Sequence, residues 1–349
     1  MTTPPDPPNP EHKRRPRYRG THPRRFEERY KELAHEKYPD IVPHILAKGR
    51  TPAGQHVPIM VEEVLAALAP AAGERAADCT LGYGGHARRI LERITPGGML
   101  VGLDADPIEL PRTEARLRAA GHGEDVFVVR RSNFAGLHAV LQGMGWSDGV
   151  DVVLADLGVS SMQIDDPARG FTFGADGPLD MRMNPQRGEP ASAYLARIDV
   201  ATLAEALTDN ADEPHADAIA AALDVRRGHL RTTTDLAEEV RRVVGGIASA
   251  DVDDSVRRVF QAVRIEVNDE FGALDAFLRD LPRALAPGGR VAVLTFHSGE
   301  DRRVKQAFKA GRREGVWSAI AEEVIRPSPE EQRSNPRSSS AKLRWAVRA

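Results

Sequence analysis

Residues 76–94 read AADCTLGYGGHARRILERI. Ala76 to Leu81 is a short apolar run, Gly82, Gly84 and Gly85 interrupt it, and Ala87, Ile90, Leu91 and Ile94 then return at helical spacing. This pattern predicts a strand, a glycine turn and a helix, in that order. Missing side chains in such a turn let a ligand approach the backbone, and the next helix offers its N-terminal amides.

Working outward, the same alternation recurs. Upstream, Val61, Val64, Leu65 and Leu68 mark one face of a helix. Downstream, strands are expected at Met99 to Leu103, after a Pro96-Gly97-Gly98 turn, at Val126 to Val129 and at Val150 to Ala155. Short, near-continuous apolar strands separated by helices indicate an α/β protein with a doubly wound, Rossmann-like parallel sheet covered on both faces. The alternation stops after Gly158. From about Asp166 to Val267 only helical segments are predicted, among them Val200 to Leu207, Ala216 to Leu223 and Leu236 to Val244, the last with Thr234 or Asp235 as N-cap. Phe271, Leu274, Leu278, Leu281 and Leu285 then mark a helical face, Pro287-Gly288-Gly289 reads as a turn, Arg290 to Phe296 as a strong strand, and Lys342 to Val347 as the last strand. The expected organisation is an α/β core at 51–165 and 270–349, interrupted by a helical insertion at 166–269 that shapes the substrate site. Residues 1–50 form an extension.

That extension is rich in proline and holds 12 Lys or Arg against 7 Asp or Glu, although the whole chain of 349 residues carries a net charge of only -3. It reads as a disordered, solvated tail or an RNA-clinging arm, with a transient helix at Arg25 to Lys37. The single cysteine, Cys79, excludes an intrachain disulfide and a multi-cysteine metal site; it reads as a small core residue inside the first strand. No apolar stretch at the N-terminus suits a signal peptide, and none reaches the roughly 18 residues of a membrane span. A cytoplasmic protein with no membrane association is expected, and the sequence leaves monomer or homodimer open.

In a parallel sheet the ligand lies beyond the carboxyl ends of the strands. Gly82 to Ala87 follows the first strand and Asp104 the second, where a carboxylate can accept both ribose hydroxyls of a nucleoside; its bland alternative is a helix N-cap. Because Gly82, Gly84 and Ala87 also satisfy the dinucleotide pattern, these residues alone leave a nicotinamide-dependent oxidoreductase open.

Further blocks carry more information: Asp156-Leu157-Gly158-Val159-Ser160-Ser161, Gln163-Ile164-Asp165, Arg169-Gly170-Phe171, and Asp176 to Met183, DGPLDMRM. With His56-Val57-Pro58, Phe260 to Ile265 and Asn268, Thr295 to Ser298 with Glu300 to Arg302, and Asn335 to Ser338 leading to Ala341 to Arg344, they closely resemble the RsmH (MraW) family of ribosomal RNA methyltransferases. The resemblance covers about residues 55–348. It implies S-adenosyl-L-methionine as cofactor, no metal, and methylation of N4 of a decoding-centre cytidine in 16S ribosomal RNA, within the small ribosomal subunit. Carried over position by position, it implies cofactor contacts at Gly84, Gly85, His86, Asp104, Phe134, Asp156 and Gln163.

For the chemistry, a poorly nucleophilic exocyclic amine needs an acceptor for its N–H. Asp156, at the end of the fourth strand, is the candidate, followed in the same loop by Ser160 and Ser161; its alternative is a cap for that loop. His297 and Ser298 end the Arg290 strand and face the same sheet edge, His297 as a catalytic candidate. Asp180, Arg182 and Asn184 lie in a loop that could close over the base, with Arg182 either on RNA or in a structural ion pair. The base must be extruded into the pocket, and Arg226, Arg227, Arg257, Arg258 and Arg264 are candidate phosphate contacts of a helical clamp. Departures from the family pattern fall at Gly299, Ser339, Asp254-Ser255-Val256 and around Asn210 to Pro214. They concern the RNA-facing surface, and an inactive ribosome-assembly factor is the remaining rival.

Overall fold

A computed structural model describes residues 58–246 and 249–349, without the side chains of residues 249 and 250. The expected N-terminal extension, with its Arg25 to Lys37 helix and the His56-Val57 start of the family blocks, lies outside the described residues. Seven strands form one sheet: β1 (Arg75–Asp78), β2 (Met99–Asp104), β3 (Phe127–Arg131), β4 (Val150–Asp156), β5 (Leu285–Thr295), β6 (Trp317–Ile320) and β7 (Lys342–Arg348), in the order β3-β2-β1-β4-β5-β7-β6. Strands β1 to β5 are parallel, and β7 runs antiparallel to both β5 and β6.

Period-two alternation explains why this sheet needs cover on both faces. Ala77, Val101, Leu103, Val153, Val291 and Val293 point into one hydrophobic cluster, while Ala76, Leu100, Val152, Leu154, Ala292 and Leu294 point into another. Helices α1 (Val61–Leu68), α2 (Gly85–Ile94) and α3 (Glu109–Ala119) contribute to the second cluster. On the first cluster lie α4 (Leu137–Gly143), α11 (Glu270–Ala284) and α12 (Ser298–Arg313). The remaining helices are α5 (Ser161–Asp165), α6 (Ala191–Arg197), α7 (Val200–Ala211), α8 (Ala216–Val225), α9 (Thr233–Val244), α10 (Ser249–Asn268) and α13 (Pro329–Ser334). Residues from Leu179 to Val263, most of them on α6 to α10, close a third cluster around Leu207, Ile219, Leu236, Val256 and Val259.

Local chemistry moves several boundaries. Helix α9 starts one turn earlier than its apolar stripe suggests, because Thr232 is the N-cap and forms a capping box with Asp235 at N3, so neither Thr234 nor Asp235 is the cap. Leu285 and Pro287-Gly288-Gly289 belong to β5 rather than to a helix and a free turn. The partner of Val150 is Leu285 and that of Val152 is Arg290, so the Pro-Gly-Gly segment bulges within the strand. Cys79 lies one residue past β1, buried, with its thiol pushed up by burial and then by Asp78. Strand β6 carries no alternating signal in its four residues and is absent from the sequence-based expectation.

Two departures from the family pattern prove to be one contact. Ser255 of α10 donates to Glu213 Oε1 at 3.0 Å, both residues are buried, and the Glu213 carboxylate also accepts the His215 N–H at 3.0 Å. Ser255→Ala removes one of the two donors to Glu213 Oε1 and should lower stability by about 1 kcal/mol, read as a shifted denaturant midpoint at unchanged slope. An unchanged midpoint would show the pair to be energetically idle.

Candidate active site

The sequential strands β1, β2, β3 run outward on one side and β4, β5 on the other, so the sheet reverses its order between β1 and β4. At such a switch point two loops part and leave a crevice beyond the carboxyl ends of the strands. A cavity of about 640 Å³ occupies it, within the range that holds a cofactor-sized ligand. Tyr83, Gly85 and His86 from the glycine turn, Asp104, Phe134, Asp156, Ser160, Gln163 and His297 all line it.

Asp104 is clamped in place: its Oδ2 accepts the Gly82 N–H at 2.8 Å and its Oδ1 the Asp106 N–H at 2.9 Å. Burial pushes its acid up despite those two donors. The helix-capping alternative belongs instead to Asp106, whose Oδ1 accepts the Ile108 N–H at 2.8 Å. Asp106 Oδ2, in a side chain 1% exposed, takes Arg169 at 2.8 Å and the Gln163 amide at 2.9 Å. Gln163 also closes a capping box with Ser160, accepting the Ser160 N–H at 2.9 Å, so both residues are spoken for by α5. Phe134 stands edge-on to Phe277 at 5.6 Å and supplies a flat apolar wall.

The carboxylates at the switch point are short of donors. Asp156 Oδ1 is buried with no hydrogen-bond partner, and Oδ2 lies 3.5 Å from His86 Nδ1. His86 Nε2 contacts the Ile59 carbonyl at 2.9 Å, which can only accept, so the proton is assigned to Nε2 and Nδ1 faces Asp156 as an acceptor. Burial lowers the His86 pKa, against the pull of Asp78 and the Ile59 carbonyl. Burial, then the charge of Glu300, pushes Asp156 up to about 7, and burial likewise carries Asp78 to about 7. Such an unpaired oxygen is costly to bury and suits a ligand that brings positive charge or an N–H donor.

Behind His297 lies a network without a counterpart in the sequence-based site. Its Nε2 is 3.3 Å from Glu300 Oε1, and Glu300 Oε2 accepts the Phe296 N–H at 2.8 Å. Burial alone would raise Glu300, but His297, the Phe296 N–H and Arg264 outweigh it and hold the acid below its usual value. Arg264 forks onto Glu270 at 2.8 and 3.0 Å. No periodicity or spacing pairs 264 with 270 across a helix break, or 270 with 300; only the fold brings them together.

Other expected residues fall elsewhere. Gly84 does not line the cavity: it adopts φ +83°, and a Cβ there would press on Thr113 and Leu117 of α3. Asp180 and Arg182 form a bidentate ion pair at 2.8 and 2.7 Å, and Asn184 accepts the Gln186 N–H. None of these three lines the cavity; their neighbours Met181 and Met183 do. Ser298 is exposed and donates to Asp212 at 3.0 Å, joining α12 to the end of α7. Of the clamp arginines, Arg227 pairs with Asp224, Arg257 with Asp254, Arg258 with Glu213 and Arg264 with Glu270.

A doubly wound sheet with a reversed β7, and a nucleoside-sized crevice at its switch point with a carboxylate after β2, define a Rossmann-like methyltransferase. The chain belongs to the MraW methylase family, whose profile matches residues 53–349. It is 46% identical to ribosomal RNA small subunit methyltransferase H 1 of Lachnoclostridium phytofermentans, over 97% of this chain and 94% of that one. With the protein of the same name from Agathobacter rectalis it is 46% identical, over 97% and 98%. Ribosomal RNA small subunit methyltransferase H 2 of Alkaliphilus metalliredigens is 47% identical, over 96% and 97%. This membership decides against the oxidoreductase that the glycine pattern alone leaves open.

Two predictions follow from the electrostatics and packing. An acid raised from its ordinary value to about 7 stabilises the fold below about pH 4 relative to neutral pH, and that contribution is lost as pH rises through 7. The ligand-free Asp156→Asn variant should therefore melt above wild type at pH 8, by about 2 kcal/mol, and level with it near pH 4. That figure is set below roughly 1.4 kcal/mol per pKa unit because the side chain is 27% exposed, toward the cavity. Parallel melting curves at both pH values would refute this. Separately, a Cβ on Gly299 would come 2.6 Å from Phe271 Cζ, a ring that also stacks beneath Arg303 at 3.9 Å. Gly299→Leu should cost about 1–3 kcal/mol, and Phe271→Ala in the same chain should recover most of it in a double-mutant cycle.

Proposed function

We propose that the protein methylates the N4 exocyclic amine of a decoding-centre (P-site) cytidine in 16S ribosomal RNA, with S-adenosyl-L-methionine as donor, in the cytoplasm and on the small ribosomal subunit. The observation that carries this reading is the buried, unpartnered Asp156 oxygen in the switch-point crevice, where a cationic cofactor and an amine N–H can both be met. The curated relatives' names point to the same class of substrate.

The residues present fit the cofactor. Asp104 keeps acceptor capacity for ribose hydroxyls beyond its two backbone donors, Phe134 offers an apolar wall for adenine, and the glycine turn leaves the backbone open. When bound, the group supplies an activated methyl carbon on a sulfonium. The chain's own work is alignment, exclusion of water and proton management. Phe171, Phe173, Met181, Met183 and Phe260 wall the substrate side of the cavity and leave an extruded base few water neighbours. Asp156, its pKa near 7, is matched to accept the amine proton at neutral pH. Once Asp156 has taken up a proton on Oδ2, His86 Nδ1 is placed to accept it and so to hold the carboxyl's orientation. His297, with its Nε2 toward ionised Glu300, lines the β5 side of the cavity.

The test is mass spectrometry of 16S ribosomal RNA from cells with and without the gene. Loss of N4-methylation at one decoding-centre cytidine is expected, restored by the wild-type gene and not by Asp156→Ala. Methylation that persists unchanged without the gene would reject the reading.

A further inference from the structure

Helix α12 begins at the cavity rim, directly after His297, and among the described residues its far side gathers unpaired cations into one row. On several other helices arginines stand beside acids one turn away, as Arg88 does with Glu92, Arg112 with Glu109, Arg118 with Glu114 and Arg242 with Glu239, and exposed arginines without such a partner, such as Arg93 and Arg226, are scattered singly. On α12 the acids all sit in the first turn and are committed: Glu300 faces His297, and Asp301 pairs with Arg344 and Lys342. Arg303 turns aside to Asp275 and Phe271. What remains on the outer face is Arg302, Lys305, Lys309, Arg312 and Arg313, all exposed. Their spacing of three, four, three and one places them along one stripe, opposite the buried Val304, Phe308 and Gly311.

None of these five forms an ion pair among the described residues. Arg312 alone is used internally, donating to the Trp317 carbonyl at 3.2 Å. The stripe runs roughly 16 Å from Arg302 to Arg313 at the rise of an α-helix. Beside it lies a shallow groove against β6, in which Glu322 is the one acid. Among the described residues the only exposed large apolar side chains are Ile108 and Val225, neither on this helix, so nothing here offers the apolar core that a protein or a membrane partner needs. A linear row of unneutralised cations leading from a nucleotide pocket matches a sugar-phosphate backbone, which ammonium and guanidinium groups hold through charge without reading sequence.

We propose that the outer face of α12 is a backbone-binding track for the RNA flanking the target nucleotide. This rests on the proposed function, and it moves the main phosphate contacts from the largely ion-paired arginines of the insertion to the helix that leaves the active site.

The test uses the full chain with the substitutions Lys305→Glu, Lys309→Glu and Arg313→Glu together, none of which lies in the cavity. The probes are small subunits from cells lacking the gene and protein-free 16S RNA, with binding followed by filter retention across a salt series. Three lost contacts to single-stranded RNA should weaken binding of both probes at least tenfold and flatten the slope of log affinity against log salt by about 2. Turnover at saturating subunits should stay as in wild type. If the charge reversal unfolds the protein, the triple glutamine variant replaces it, with a smaller loss and the same flattening expected. Affinity and slope equal to wild type would overturn the track, as would a loss seen only with assembled subunits, which would assign the stripe to a protein partner. Failure of the wild-type protein to methylate subunits would instead overturn the proposed function, so the two outcomes separate.

Discussion

Carboxylates held where too few donors reach them are the constraint on which the rest of this structure depends. Asp78 and Glu300 are buried beside the crevice that half-buried Asp156 lines; Asp78 has the Thr80 N–H and Glu300 has His297 and the Phe296 N–H, while the buried Asp156 Oδ1 has nothing. Left to itself such a cluster favours water and an open loop. It persists because the sheet beneath it is rigid and apolar on both faces, so the strand ends cannot part without exposing either cluster. The site thus stores unfavourable electrostatics that a cationic ligand relieves, which is the usual relation between a stable scaffold and a functional site that is not optimised for stability.

The same arrangement sets how the helical segment between β4 and β5 can serve the site. Residues 179–263 close their own cluster, yet the segment is pinned to the strand ends at a few polar points: Asn268 to Met181 and Met183, Arg169 to Asp106, and Ser298 to Asp212. Apolar packing makes it a body, and hydrogen bonds register that body over the crevice. The result is a cavity wall made of Phe171, Phe173, Met181, Met183 and Phe260, with the polar residues of that loop turned away to hold its shape. Asp180 and Arg182, both half-buried, satisfy each other.

Charge is distributed with a similar economy. A chain with 48 basic and 51 acidic residues can neutralise most cations locally, and on most helices it does so within one turn. Where pairing is complete and buried, an arginine that looks free in the sequence is a fixed part of the frame, as Arg264 is. Where it is incomplete, as along α12, the residual field points outward and is available to a polyanion.

The sequence by itself determined the strand-turn-helix alternation, the helical character of the segment after Gly158, and the placement of Asp104, Asp156 and His297 at strand ends, because hydrophobic period and chain direction are local properties. It also revealed family blocks that no single motif would have secured. Only the tertiary structure decided that Asp106, Glu270 and Arg264 belong to the site, since their partners lie 6 to 63 residues away and no periodicity connects them, and that Glu300, three residues past His297, faces the same cavity. It decided likewise that Gly84 packs against α3, that the PLDM loop offers methionines and not its charges, and that Glu213 answers Ser255. Which atoms a side chain meets depends on how distant segments cross, and that is fixed when the two faces of the sheet are buried together, not when the chain is read.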